Sequence, residues 1–248
     1  MIELENLAQL VLFMVFLFAL SYPFGLYIFK VAQGENTKLT PILKHAENAI
    51  YSLCKIEEKE GHSWSKYAFS LVLFAFISFL VSYFLLRYQS LFPFNPQNYP
   101  DLSTDLSFNT AVSFLTNTNW QAYSGETTLS YFSQMVALTP QNFFSAAMGI
   151  SALFAIIRGL CHENKDNLGN FWVDLTRVCL YILLPLSCVL ALFYISQGVI
   201  QNFLPYSIVN TLEGAQQTIA QGPAASQIAI KMLGTNGGGF FGTNSAHP

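Results

Sequence analysis

The sequence predicts an all-α integral membrane protein in which a unit of span, re-entrant half-helix, turn and span recurs. Three observations predict it. Of the 248 residues, 52% are hydrophobic and only 10% charged, with a mean hydropathy of +0.40, whereas soluble domains carry about a quarter charged residues. Four stretches stay apolar over the roughly twenty residues that a helix needs to cross a bilayer core. Two further apolar stretches, each too short to cross, lead into the same dipeptide, Thr116-Asn117 and Thr235-Asn236. Membrane lipid rather than water is therefore the expected solvent. The net charge of −3, with no basic run and no acidic tail, gives no sign of nucleic acid or anionic lipid as the main partner. Cys54, Cys161, Cys179 and Cys188 lack the close pairing of a zinc site or a disulfide framework and read as reduced, structural residues. His45, Cys54 and His62 share one loop without metal-ligand spacing.

The first span, Leu7 to Phe29, is too long for a signal core and is preceded by Glu3 and Glu5 rather than by a basic region, so it is expected to remain as a transmembrane helix. The others run from Tyr67 to Leu86, Met135 to Ile157 and Val173 to Ile195. Pro23, Pro140 and Pro185 lie inside spans. Ser187 or Thr139 is expected to satisfy a carbonyl freed there. The third span carries Gln141, Asn142, Ser145 and Gly149, so one face must pack on protein or water. Asp174 and Arg177, three apart, are expected to pair across a turn as an interfacial anchor. Lys30, Lys38, Lys44, Lys55, Lys59, Lys66, Arg158, Lys165 and Arg177 make nine of the eleven basic residues. Because loops rich in Lys and Arg stay in the cytoplasm, the N-terminus is expected outside. Residues 31–66 and 158–172 then lie inside, and residues 88–131 and 196 onward outside.

The two short apolar stretches lie in the outer segments. Ser103 or Thr104 caps a helix through Leu106, Phe108, Val112, Phe114 and Leu115, with Asp105 in the first turn, where an acid suits the helix dipole. Pro223 stands at the first position of a second helix, followed by Ala224 to Leu233. About ten residues give roughly 15 Å, half a bilayer core, so both fit half-helices that enter from outside and stop midway. The following residues are alike: Leu115-Thr116-Asn117-Thr118-Asn119-Trp120 and Gly234-Thr235-Asn236-Gly237-Gly238-Gly239. The chain accordingly divides into an extra N-terminal helix (1–30), an inner loop (31–66), a first unit (67–158) and a second, incomplete one (159–248).

Thr, Asn and Gly at these turns suit a desolvated cation. An ion leaving water needs replacement oxygens, and irregular backbone at membrane depth is tolerated only where it lines a polar cavity. Glycine is expected to turn carbonyls inward through positive φ, while Thr and Asn add oxygens or brace the loop. The half-helices end at the turns, each directing a partial negative charge of about half an elementary unit there. Asp101, Asp105 and Glu126, in a stretch without Lys or Arg, make the outer mouth attractive to cations. Lys231 is the exception, expected to pair locally or to reach the interface. The lack of an acid pair at membrane depth argues against calcium or magnesium. On residue types alone, sodium and potassium stay open.

Asn109-Thr110-Ala111-Val112-Ser113-Phe114, then Thr116-Asn117-Thr118-Asn119-Trp120-Gln121 and Tyr123-Ser124-Gly125-Glu126, resembles the first filter region of the KdpA family, the potassium-binding subunits of the bacterial Kdp potassium-transporting ATPase. Met232-Leu233-Gly234-Thr235-Asn236-Gly237-Gly238-Gly239-Phe240-Phe241, with Asn244-Ser245-Ala246-His247-Pro248, resembles the second. Gln141-Asn142-Phe143 and Ile156-Ile157-Arg158 extend the likeness along the chain. The family pattern after the paired Phe is Asn-Ala-Asn-Ser, where this chain has Gly242-Thr243-Asn244-Ser245.

The resemblance implies four potassium-channel-like units after an extra first helix. This chain would be a fragment, with the second unit's closing span and two further units absent from it. Carried over by position, Thr116, Asn117, Thr118 and Asn119 form one filter segment and Thr235, Asn236, Gly237 and Gly238 another. Gln121 would lie just behind the first, with Gly234 and Gly239 flanking the second. The resemblance further implies a bacterial inner-membrane protein that binds potassium from outside as its transported ligand, with no covalent cofactor. The ion would pass sideways to a P-type ATPase catalytic subunit, in a complex that also holds small accessory subunits. The chain fits the non-hydrolytic role, having no Asp-Lys-Thr-Gly phosphorylation motif and no Walker Lys. Its nearest rival is a potassium channel or ion-gradient-driven transporter of the same architecture; a purely structural membrane subunit is the third reading. Gly237-Gly238-Gly239-Phe240-Phe241-Gly242 satisfies the dinucleotide pattern G-x-G-x-x-G but lacks the surrounding βαβ unit.

Overall fold

Backbone groups in a lipid phase must bond within their own segment, so long apolar runs take up helix. The computed structural model describes residues 4–161 and 167–244. Glu3, Lys165 and the Ser245-Ala246-His247-Pro248 end of the second motif lie outside the described residues. Four helical stretches are long and apolar enough to cross a membrane: Asn6–Gln33, Trp64–Arg87, Ser133–Cys161 and Phe171–Ser196. Each contains the corresponding expected span. In chain order the elements are α1 (Leu4–Gln33), α2 (Thr40–Cys54), α3 (Trp64–Arg87), α4 (Thr104–Leu115), α5 (Gly125–Thr128), α6 (Thr139–Cys161), α7 (Phe171–Arg177), α8 (Leu184–Ser196), β1 (Ser207–Asn210), β2 (Gln216–Ile219) and α9 (Ala224–Leu233).

Wide, π-type turns at Ser133–Leu138 and Val178–Leu183 lead into α6 and α8, each ending two residues before a proline. A proline ring lacks an N–H and crowds the carbonyl four residues back, and a wider turn relieves both. The expected partners differ from those observed. In an α-helical register Pro185 frees the Tyr181 carbonyl, and it is Tyr27 Oη from α1 that donates to it, at 2.6 Å. Ser187 instead bonds Leu184 O, and Thr139 Oγ1 bonds Gln134 O at 2.7 Å.

Three apolar clusters hold the helices together. The largest includes Val31, Tyr67, Met148, Phe154, Phe171 and Tyr181 and joins α1, α3, α6 and α7. Phe114 of α4 packs with Leu86, Leu102, Leu129 and Leu138. Ile228 of α9 packs with Tyr131, Phe240 and Phe241. The two short helices are thus each seated by their own cluster, which fixes where their C-terminal turns fall.

One expectation is corrected. Asp174 does not pair with Arg177: it accepts from Arg158 Nη1 and Nη2 at 2.5 and 2.9 Å and from Tyr67 Oη at 2.9 Å. Arg177 reaches Glu47 at 3.3 Å and Glu58 at 2.5 Å. Each charge finds a partner on a neighbouring element, where a buried acid such as Asp174, 2% exposed, is better compensated. The charged segment 31–66 between the first two spans holds the 15-residue α2. The structure is mostly helical, in keeping with the all-α expectation, and adds a short antiparallel hairpin, β1 and β2, between α8 and α9, its residues mostly exposed.

Candidate functional site

α4 starts as expected, with Ser103 Oγ accepting from Leu106 N at 3.2 Å and Asp105 in the first turn. Its C-terminus is closed by the residues that follow. Thr116 N donates to Val112 O at 3.0 Å, while Thr118 N and Asn119 N both donate to Ser113 O, at 3.1 and 3.0 Å. Thr116 Oγ1 adds a bond to Val112 O and lies 3.2 Å from Thr118 Oγ1. α9 begins one residue later than expected, with Pro223 at the cap rather than at the first helical position. Gly234 N closes on Ile230 O at 2.8 Å and Asn236 N on Lys231 O at 3.1 Å.

Positive φ falls on Asn117 (64°), Asn119 (55°) and Thr235 (54°), and not on Gly237, Gly238 or Gly239. The expectation that glycine supplies the left-handed backbone is therefore overturned. Asn takes that conformation readily through its short polar side chain, whereas β-branched Thr235 is strained there. The glycines give room instead. A Cβ on Gly238 would overlap Asn119 O, and one on Gly237 would stand 2.9 Å from Thr118 O. Only bare backbone lets the two segments lie this close.

Amide side chains bind one segment to the other. Asn117 Nδ2 donates to Gly234 O at 3.2 Å, and Asn236 Nδ2 donates to Asn117 Oδ1 and, at 3.4 Å, to Asn119 Oδ1. Asn119 Nδ2 donates to Gly238 O at 3.3 Å. Gln121 grips Gly239 twice, donating to its carbonyl at 2.9 Å and accepting from its N–H at 2.8 Å. Gln134 Nε2 takes the next carbonyl, Phe240 O, at 3.1 Å. Three successive carbonyls of the second segment are thus held by three amides.

α6 supplies the remaining braces. Ser145 Oγ donates to Asn117 Oδ1 at 2.7 Å and accepts from Asn236 Nδ2 at 3.3 Å, while Asn142 Oδ1 accepts from Asn119 Nδ2. The sequence marked Asn142 and Ser145 as members of a polar face, and Asn142 within a string that resembles the family, without giving either a place at the turns. Gln134 and Gln227, whose amides meet at 3.0 Å, were missed. Their signal was present in the sequence, as single amides interrupting apolar surroundings.

Exposure runs in parallel along both segments: Thr116 and Thr118 are exposed, as are Thr235 and Gly237, while Asn117 and Asn236 are half-buried. Among the described residues, no hydrogen bond reaches the carbonyl oxygens of Thr116, Asn117, Thr118, Asn119, Thr235, Asn236 or Gly237. A cavity of about 530 Å³ opens beside them, lined by Thr116, Asn117, Ser145, Gly149, Gly234 and Thr235 among others. The outer acids have structural work as well. Glu126 accepts from Gly242 N at 2.7 Å, and Asp101 accepts from Ser90 N at 2.9 Å, which holds the Asp101 carboxyl below the ordinary carboxylate range.

Four helices able to cross a bilayer, with shorter helices packed against them and ending in matched polar turns, define a multi-pass membrane protein. The chain belongs to the KdpA family: residues 11–248 match the sequence model described as KdpA, Potassium-transporting ATPase A subunit. It is 54% identical over 244 residues to the potassium-transporting ATPase potassium-binding subunit of Solibacter usitatus, covering 98% of this chain and 43% of that protein. Identity to a protein of that name from Methylorubrum extorquens is 53% over 245 residues, covering 99% and 43%. For that of Listeria welshimeri it is 56% over 241 residues, covering 97% and 43%. The chain spans less than half the length of these curated relatives.

Proposed function

We propose that this chain carries two segments of a potassium filter, Thr116–Asn119 and Thr235–Gly238, within the potassium-binding subunit of an ATP-driven uptake complex. The single observation that carries this is the set of backbone carbonyls of residues 116–119 and 235–237, which no hydrogen bond reaches among the described residues, gathered where two amide-braced turns face each other. Oxygen dipoles held in place but not consumed by hydrogen bonds can replace the hydration shell of a large monovalent cation. The C-terminal ends of α4 and α9 add negative potential at the same point. Asn117 and Asn236 both bond Ser145, close to the middle of the 29-residue helix Ser133–Cys161, which supports reading α4 and α9 as re-entrant half-helices. The remaining filter segments of a fourfold site would come from further repeats of the same unit.

In this reading the chain neither binds nor splits ATP. Its relatives are named as subunits of a potassium-transporting ATPase, so the energy would come from a separate P-type catalytic subunit, with small accessory subunits completing the complex. The Lys- and Arg-rich segments 31–66 and 158–172 would face the cytoplasm across the inner membrane, and the filter would open outward.

The test is potassium binding by the full-length subunit. A ligand at a hundred times its Kd stabilises the state that binds it by about 2.7 kcal/mol, so potassium should raise the melting temperature and sodium at equal strength should not. Asn236→Leu, which removes the amide that meets Asn117 and Ser145, should abolish the potassium effect. A melting temperature indifferent to potassium would end this reading. Uptake that continues when ATP is exhausted, in the absence of any co-purifying ATPase, would favour the channel or gradient-driven alternative.

A further inference from the structure

We propose that Lys231 is a positioning residue for the ion site, a strap that fixes both ends of the segment 236–244; this rests on the filter reading above. Lys231 is 1% exposed, although lysine is almost never fully buried unless it has a partner. Its backbone carbonyl accepts from Asn236 N at 3.1 Å, at the start of the segment. Its ammonium donates to Asn244 Oδ1, at the end. Asn244 closes a tight turn, with φ of 70° and its N–H on Phe241 O at 3.1 Å. One residue therefore holds the two ends of a nine-residue excursion.

The stem of the side chain explains a glycine. A Cβ on Gly239 would stand 2.9 Å from Lys231 Cδ, so only glycine lets the lysine pass on its way to Asn244. On its other side the Gly239 peptide is gripped by Gln121 through both its N–H and its carbonyl. The run Gly238–Phe240 is thus clamped between amides from Asn119, Gln121 and Gln134 and the lysine stem behind it. With either side removed, the run can relax along the direction the other side leaves open. Loss of the strap therefore changes how well the carbonyls fit an ion, while leaving the ATP-driven machinery untouched.

The experiment uses the full-length subunit in its complex and reads half-saturating potassium and maximal rate separately. Lys231→Met keeps the stem and removes the charge. Its half-saturating potassium should rise about tenfold, the scale of a lost charge-assisted hydrogen bond, with maximal rate within about twofold and weaker discrimination against rubidium. Asn244→Ala should give the same rise, and the double variant should be no worse than either single one. Unchanged half-saturation in both single variants, or additive effects in the double, would overturn the strap. If Lys231→Met does not assemble, Asn244→Ala carries the test alone, and wild-type affinity in it refutes the proposal. Asn236→Leu separates the two claims. If it lowers potassium affinity while the Lys231 and Asn244 variants do not, the strap fails and the filter stands; if it too has no effect, the filter reading itself fails.

Discussion

At the scale of single residues, the turns are braced mainly by amides that bond backbone. Gln121 shows the consequence. Gln121→Leu would leave the buried N–H and carbonyl of Gly239 without partners, and each such group costs about 1–3 kcal/mol. We expect a lower melting temperature together with weaker potassium binding, checked by thermal denaturation with and without potassium. Gly238→Ala acts by a different route. Its Cβ would meet Asn119 O, and an overpacked methyl costs about 1–3 kcal/mol; since it forces the segments apart, potassium binding should fall further than stability does. The Thr-Asn dipeptides themselves were legible as sequence because they recur after similar apolar stretches. Which residues take positive φ was not legible, since Asn117 and Asn119 are bonded to residues more than a hundred positions away.

At the scale of elements, caps and spans follow from local pattern, whereas the joints between elements do not. Ser103 and the apolar runs announce α4 and the four long helices because capping and helix periodicity are properties of neighbouring residues. The π-type turns before Pro140 and Pro185 depend on what the proline displaces, and the Tyr27 hydroxyl that satisfies Tyr181 O comes from another helix. The hairpin at Ser207–Ile219 has only four residues per strand and a mostly exposed surface, too weak a pattern to announce itself. The Asp174–Arg158 pair is the clearest case of a joint that spacing misassigned. Asp174→Ala would leave Arg158, its side chain 16% exposed, without its carboxylate, and breaking a buried pair on one side costs about 3–5 kcal/mol. Because Arg158 also holds Ala32 O at 3.0 Å, and Tyr67 would keep only Ser151 O as its acceptor, α1 and α3 should loosen together. Faster proteolysis of the segment between α1 and α3 in the Asp174→Ala protein would show it; an unchanged digestion pattern would count against the joint.

At the scale of the whole molecule, the ion pairs lie away from the proposed ion site. The ion pairs among the described residues all join positions within 44–66 and 158–177, and the Thr-Asn segments are braced by neutral groups. Residue patterning foretold the clustering of basic residues but not that Glu47 would become the hub linking α2 to the fourth span. Glu47 is 2% exposed and accepts from Tyr51 at 2.8 Å, Tyr181 at 2.7 Å, Lys44 at 3.1 Å and Arg177 at 3.3 Å. Burial pushes its carboxyl upward, but the bonds from Tyr181, Tyr51 and Lys44 outweigh it and hold the group below the ordinary carboxylate value. A group with a depressed folded-state pKa stabilises the fold fully above its unfolded pKa, about 4.3 for Glu, and loses that contribution as pH falls through the folded value. Glu47→Gln should therefore be less stable than the parent at neutral pH, by about 1–3 kcal/mol, and the gap should close as the pH drops below about 4. Thermal melts of the two proteins from neutral pH into acid measure it. A gap that stays constant into acid would mean that Glu47 acts through shape rather than charge, and α2 would then be attached to the spans by packing alone.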